Sequence, residues 1–258
     1  MNGAQPFVVD SRQAKALHFG MATVQSRMRL DDPDALDLDY TRTMMAALLF
    51  VPDPRRIAMV GLGGGSLPKF CHRHLPAACI AVVEISAEVI ALRDDFQVPA
   101  DGPRFQVLHD DGAQWLRRGI TPVDLLMVDG FDAQGLPEAL ATQRFFDDCR
   151  AALAPGGLLV MNLHRDDPRH GLLLDRLRRS FDDDGAVLAV ADSDGGNVIV
   201  MACSGTLLAR YRPGVVRLPA GLDKSAHDAL LAACAQVMTA LVDQQQRRLQ
   251  RAVRPRRS

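Results

Sequence analysis

From Arg56 onward the chain alternates short runs that are apolar at nearly every position with longer segments that are apolar only at helical spacing. The runs are RIAMVG, CIAVVEI, RFQVLH, VDLLMVDG and GLLVMNLH. Runs this rich in Val, Ile and Leu predict strands buried on both faces, the mark of a mainly parallel sheet covered by helices. After the fifth run an amphipathic segment, GLLLDRLRRSF, leads into AVLAV, the turn ADSDGGN and VIVMACS. A parallel crossover needs about a dozen residues, so strands joined by so short a turn pair antiparallel and close the sheet in a hairpin.

The flanks read differently. Ahead of the core, AKALHFG and ATVQSRM predict paired strands, and LDYTRTMMAALLF has the spacing of a buried helix. Behind it, KSAHDALLAACAQVMTALVDQQQRRLQ predicts a long helix with Leu230, Cys234, Val237 and Leu241 along one stripe, expected to dock on its own core or on a second subunit. The expected division is an N-terminal hairpin and helix over 1–50, an α/β domain over 51–205, and a C-terminal helix with a basic tail over 206–258. The tail, RRLQRAVRPRRS, carries six arginines and no acid. It reads as a solvated segment or as an arm for an acidic partner.

Composition narrows the classes. A chain of 258 residues can bury a full core without staples, and its net charge of -1 gives no global attraction to nucleic acid. Five cysteines, odd in number and never in a CxxC pair, predict buried thiols in a reducing compartment. No secretory leader pattern opens the chain and no apolar run approaches a membrane span, so a cytoplasmic protein without membrane partners is expected. No spacing predicts a metal site: His72 and His74, two apart on a helix, face different sides.

The chemistry concentrates at the ends of the apolar runs. RIAMV ends at Val60, and Gly61, Gly63, Gly64 and Gly65 then turn the chain into a helix near Ser66. Glycine there lets the backbone bend and approach a ligand, and the helix start offers free N–H groups. The spacing fits a dinucleotide fingerprint only loosely and lacks the G-K-[ST] of a phosphate loop. Glu84 closes the second run, where a carboxylate can accept both hydroxyls of a ribose. Asp111 follows the third, where a carboxylate can accept an adenine amino hydrogen, and Asp129 closes the fourth. Ligands on such sheets bind across the carboxyl ends of the strands, so these stations converge on one nucleoside crevice. His164, ending the fifth run, could line it, and Trp115 is either core or packed beside the adenine.

A parallel sheet closed by an antiparallel last strand resembles the Rossmann-like, S-adenosylmethionine-dependent methyltransferase fold, with seven strands. VVEI, HDDGAQWL and VDGFDAQGLPEALATQRFF, with ATVQSRM and the Tyr40 segment, resemble the spermidine synthases over roughly Lys15 to His164. Family members read D-[ST]-[ST]-D-P-x-G-P-A-E-x-L where this chain has Asp129-Gly-Phe-Asp132-Ala-Gln-Gly135-Leu-Pro-Glu138-Ala-Leu140. The resemblance implies aminopropyl transfer from decarboxylated S-adenosylmethionine to a small amine, in a homodimer. It implies Gln25, Gly61, Gly63, Glu84, Asp111 and Gly112 at the nucleoside, Asp129 as catalytic acid–base, and Tyr40 and Asp132 near the amine. Asp132 also reads simply as a turn residue.

One departure changes the picture. The family loop reads G-G-G-D-G-G, whereas Gly61-Leu62-Gly63-Gly64-Gly65-Ser66 puts Gly64 where the acid belongs. That acid faces the ammonium end of the aminopropyl chain, and its loss also removes a repulsion against the carboxylate of ordinary S-adenosylmethionine. Three readings follow: an aminopropyltransferase-like enzyme, a methyltransferase, and a nucleoside-binding protein without turnover.

Overall fold

The computed structural model describes residues 5–19, 24–181, 186–212, 214 and 216–253. Ala22 and Thr23 of the second expected strand, and the tail from Arg254 on, lie outside the described residues. At the N-terminus β1 (Phe7–Asp10), β2 (Ala14–His18) and β3 (Val24–Arg29) form an antiparallel three-stranded sheet in that order. The expected pair is therefore a trio. β1 escapes a pattern reading because it is four residues long and leaves Phe7 and Val9 exposed. Helix α1 (Asp39–Met45) follows and tightens into a 3₁₀ turn over Ala46–Leu49 that is buried throughout.

The core then runs β4 (Arg56–Val60), α2 (Ser66–His74), β5 (Cys79–Glu84), α3 (Ala87–Ala91), β6 (Phe105–His109), α4 (Gly112–Arg117), β7 (Val123–Val128), α5 (Gln143–Ala151), β8 (Leu153–His164), α6 (His170–Ser180), β9 (Val187–Ala191) and β10 (Asn197–Cys203). These seven strands make one sheet in the order β6-β5-β4-β7-β8-β10-β9. β4 through β8 are mutually parallel, and β10 inserts antiparallel to both β8 and β9. The order reverses at β4, where β5 pairs on one side and β7 on the other, and a crevice opens there at the carboxyl ends of the strands.

Local chemistry sets the helix starts. Asp111 caps α4 by accepting from Ala113 N and Gln114 N, and Thr142 caps α5 by accepting from Phe145 N. α2 begins instead on Gly65 in the left-handed region (φ 71°), with no side-chain cap. Its first N–H groups thus have no side-chain cap.

α7 (Leu207–Arg210) leads to α8 (Lys224–Val253). Leu230, Cys234, Val237 and Leu241 are fully buried, and α8 packs on α1, the 3₁₀ turn and β9. The stripe therefore docks on the chain's own core. By length and composition alone Lys224–Gln250 could cross a membrane, although polar positions interrupt it. Four of the five cysteines are buried, but Cys79, at the start of β5, is exposed, contrary to the sequence expectation. It occupies the solvent-facing first position of an otherwise buried strand.

Candidate active site

Above the switch between β5, β4 and β7 lies a cavity of about 380 Å³. All of Gln25, Tyr40, Gly61, Gly63, Glu84, Asp111, Gly112, Asp129 and Asp132 line it. They come from β3, α1 and the ends of four core strands, so the N-terminal segment closes one side of the crevice. Trp115 is not among the lining residues and packs half-buried against the core.

Glu84 is 8% exposed, and its two oxygens accept from Leu62 N and Ser86 N, both at 2.8 Å. It therefore shapes the glycine loop, and each oxygen still has a lone pair to offer a ligand hydroxyl. Gly61 is required by geometry: its φ is 98°, and a Cβ there would stand 2.2 Å from the Asp129 carbonyl oxygen. Asp111 spends Oδ1 on the α4 cap, while Oδ2 has only a long contact of 3.4 Å with Gln114 Nε2. The cap reading and the ligand reading of this residue are thus compatible, one oxygen to each.

Asp129 sits at the centre. Tyr40 Oη donates to Oδ2 and Asn162 Nδ2 donates to Oδ1, each at 3.0 Å. Burial pushes the Asp129 carboxyl above the usual carboxylate range, opposed by the hydrogen bonds from Asn162 and Tyr40 and by the charge of His164. Burial, and then the charge of and hydrogen bond to Asp129, push the Tyr40 phenol well above its ordinary value. Tyr40 thus remains a donor, and Asp129 is a fixed carboxylate able to receive a proton. Asp132 accepts from Gln134 N at 2.8 Å through Oδ1 and bridges to Gly135, so it is a turn residue that also faces the cavity.

Further lining residues carry weaker sequence signals. Asn162 is a lone polar position inside the apolar run GLLVMNLH, 3% exposed, and its Oδ1 has no partner among the described residues. His164 does line the cavity, its ring stacked on Phe131 with centroids 4.1 Å apart and planes 6° from parallel. Ser26, Asp39, Asp192, Asp194 and Asn197 complete a wall to which no local motif points. Gly64 does not line the cavity: a Cβ built on it would point at Ser26 Oγ, 2.7 Å away, and at Phe96, 3.0 Å away. Among the described residues no cluster of His, Cys, Asp and Glu could hold a metal ion.

A parallel sheet with a hairpin end and a set of carboxylates lining a cavity at its switch point places the chain in the methyltransferase-like α/β class. Residues 38–167 match the spermine/spermidine synthase domain. A polyamine aminopropyltransferase of Chromobacterium violaceum is 42% identical over 191 residues, 73% of this chain and 72% of that protein. The chain belongs to the spermine/spermidine synthase domain family. Two solved structures are similar in fold at 24% identity. A probable spermidine synthase from Corynebacterium glutamicum has a TM-score of 0.67, covering 81% of this chain and 83% of that one. Human methyltransferase-like protein 13 in complex with SAH has a TM-score of 0.59, covering 77% and 93%.

Proposed function

We propose that this chain transfers an aminopropyl group from decarboxylated S-adenosylmethionine to a small amine, with Asp129 as the proton acceptor. The observation that carries the reading is Asp129 held by Tyr40 and Asn162 in the same cavity as Glu84 and Asp111. Glu84 takes the ribose hydroxyls, Asp111 Oδ2 the adenine amino group, and Gln25, Gly61, Gly63 and Gly112 pack against the nucleoside. Tyr40 and Asp132 stand on the acceptor side.

The amine nitrogen attacks the aminopropyl carbon bound to the sulfonium. The N–C bond forms as the C–S bond breaks, and the electron pair leaves with sulfur, which becomes the neutral thioether of methylthioadenosine. An alkylammonium titrates near 10, so the nucleophile must lose a proton at neutral pH. Asp129 receives it and returns it to solvent. Lining up the two substrates in one cavity supplies much of the remaining advantage, because it replaces an encounter in solution by a fixed approach. The reading carries the expectation of a cytoplasmic homodimer without a nucleic-acid partner.

The test is formation of methylthioadenosine from decarboxylated donor and 1,4-diaminobutane, followed by chromatography. Asp129→Asn should abolish product while leaving donor affinity nearly unchanged, because the amide keeps the shape and cannot take the proton. Product formation at the wild-type rate would remove Asp129 from the role. The sequence of the loop favours a second reading, methyl transfer from ordinary S-adenosylmethionine, since Gly64 stands where the resembled family has an acid, although residue 64 faces Ser26 and Phe96 and not the cavity. Formation of S-adenosylhomocysteine, without methylthioadenosine, would select it.

A further inference from the structure

Among the described residues seven carboxylates line the cavity, and six are already engaged within the protein. Glu84 holds the glycine loop, Asp111 caps α4, and Asp129 is bound by Tyr40 and Asn162. Asp132 takes Gln134 N, and Asp192, 6% exposed, takes Asn197 N at 3.2 Å and Asn197 Nδ2 at 3.0 Å. Asp39 Oδ1 is paired with Arg42 at 2.8 Å, and Asp39 Oδ2 accepts from both the backbone N (2.8 Å) and the hydroxyl of Ser193. Asp194 has neither a hydrogen bond nor an ion pair among the described residues. It stands on the turn joining β9 to β10, at the cavity mouth, where a bare carboxylate attracts a cation.

That turn is fastened. Asp39 and Tyr40 are neighbours on the first turn of α1, one gripping Ser193 beside Asp194 and the other gripping Asp129. One helix start thus fixes the spacing between the carboxylate at the mouth and the one at the centre. A second feature points to a ligand independently. Asn162 is buried with its Nδ2 committed to Asp129, and its Oδ1 is left without a donor. A buried carbonyl of this kind keeps an unmet desolvation cost until something donates to it. β8 and β10 pair with Asn162 opposite Ile199 and His164 opposite Asn197. Asn162 therefore lies two residues, about 7 Å along the strand, from the level where the Asp194 turn begins.

We propose that Asp194 determines acceptor specificity. Its carboxylate takes the far ammonium of a dication whose reacting nitrogen lies between Asp129 and Asn162 Oδ1, and the Asp39–Ser193 clasp holds it at that distance. The inference rests on the aminopropyl-transfer reading for the nature of the acceptor, but its readout does not require turnover. The probes are 1,4-diaminobutane and butylamine, identical except for the far ammonium, titrated calorimetrically into the full chain saturated with methylthioadenosine.

Wild-type protein should bind the diamine more tightly than the monoamine. Asp194→Asn should reduce that ratio about fivefold, the upper end for a solvent-exposed ion pair. Asp194→Glu should restore part of it, and Asp39→Asn, which frees the turn, should reduce it in the same direction. A ratio within twofold of wild type in a folded Asp194→Asn protein would overturn the proposal and leave the transfer reading standing. Failure of the wild type to bind the diamine at all would overturn both.

Discussion

Restoring the missing acid of the glycine loop is the sharpest test of which donor this site is built for, and packing decides how it must be done. Gly61, Gly63 and Gly65 all have left-handed φ angles, but Gly64 does not, so its backbone accepts any residue. The obstacle is space. A Cβ at 64 would stand 2.7 Å from Ser26 Oγ, 3.1 Å from Ser26 Cβ and 3.0 Å from Phe96 Cδ1. Ser26 is itself buried, with its hydroxyl 3.4 Å from that of Ser66. Gly64→Asp alone therefore overpacks the loop, at a cost of about 1–3 kcal/mol. The gain sought, one carboxylate about 4 Å from the donor ammonium, ranges from roughly 1 kcal/mol in water to about 4 at an effective dielectric of 20. The two effects are of similar size, so the single variant should melt lower, by about 2–4 °C per kcal/mol for a chain of this length, with little change in donor ranking. Ser26→Gly clears both close contacts from β3. The Ser26→Gly/Gly64→Asp protein should then shift preference toward decarboxylated S-adenosylmethionine by at least about tenfold relative to Ser26→Gly, or about 1.4 kcal/mol, measured by calorimetric titration of both donors. Wild-type protein that binds ordinary S-adenosylmethionine at least as tightly as the decarboxylated form would favour the methyl-transfer reading over aminopropyl transfer. A folded double variant with the same ranking as Ser26→Gly would show that a side chain at 64 does not reach the donor's tail, and the reasoning fails.

Three further outcomes are expected. Tyr40→Phe removes a hydrogen bond that holds the Asp129 pKa down, so that pKa rises further, and activity, which needs the ionised carboxylate, should be lost at a higher pH as pH falls; an acid limb that stays put or moves down would contradict the assignment. Lys69, 1% exposed, gives its ammonium to the Phe96 carbonyl at 2.8 Å, and burial lowers its pKa from 10.5 to about 8. Between those values the unfolded chain binds more protons, so this group adds stability as pH rises. The difference in Tm between wild type and Lys69→Met should therefore move in favour of the wild type from pH 7 to pH 10, and a constant difference would refute the shift. Deleting residues from Lys224 onward strips Leu230, Val237 and Leu241 from the core, worth at most about 5–9 kcal/mol, a large part of a domain's whole stability. Light scattering should show aggregation or a change of mass, and a soluble product with unaltered Tm would count against docking of the helix.

The sheet was legible because its strands are buried on both faces, so that RIAMV, CIAVVE and VDLLMV had to be continuously apolar and the acids could come only at their ends. The same rule exposed the half of the site proposed to take the nucleoside. Glu84 is the last residue of β5 and Asp111 lies two residues beyond β6, and the parallel register brings them to neighbouring levels: Glu84 pairs across from His109, just before Asp110 and Asp111. In that half, position along the chain converts directly into position in space. β1 was missed for the complementary reason, since a short edge strand with outward Phe7 and Val9 has no buried face to reveal it.

The half proposed to take the acceptor obeys no such rule. Tyr40 reaches Asp129 across 89 residues of sequence, and Asp39 reaches Ser193 across 154. Asn162 becomes part of the site only because β8 runs beyond β7, carrying its polar position up to the level of Asp129. Ser26 and Gly64 fit one another across two sheets, and neither position alone tells why the other is small. Such contacts are fixed by packing between elements, and they can be exchanged in pairs without disturbing the strand pattern that makes the fold. The proposed donor end is thus tied to the backbone of the sheet, while the proposed acceptor end is tied to side-chain partners that can change together. On the proposed assignment, a change of acceptor in this chain is expected from substitutions at Asp39, Ser193 or Asp194, which line or fasten one wall of the cavity and leave Glu84, Asp111 and Asp129 in place.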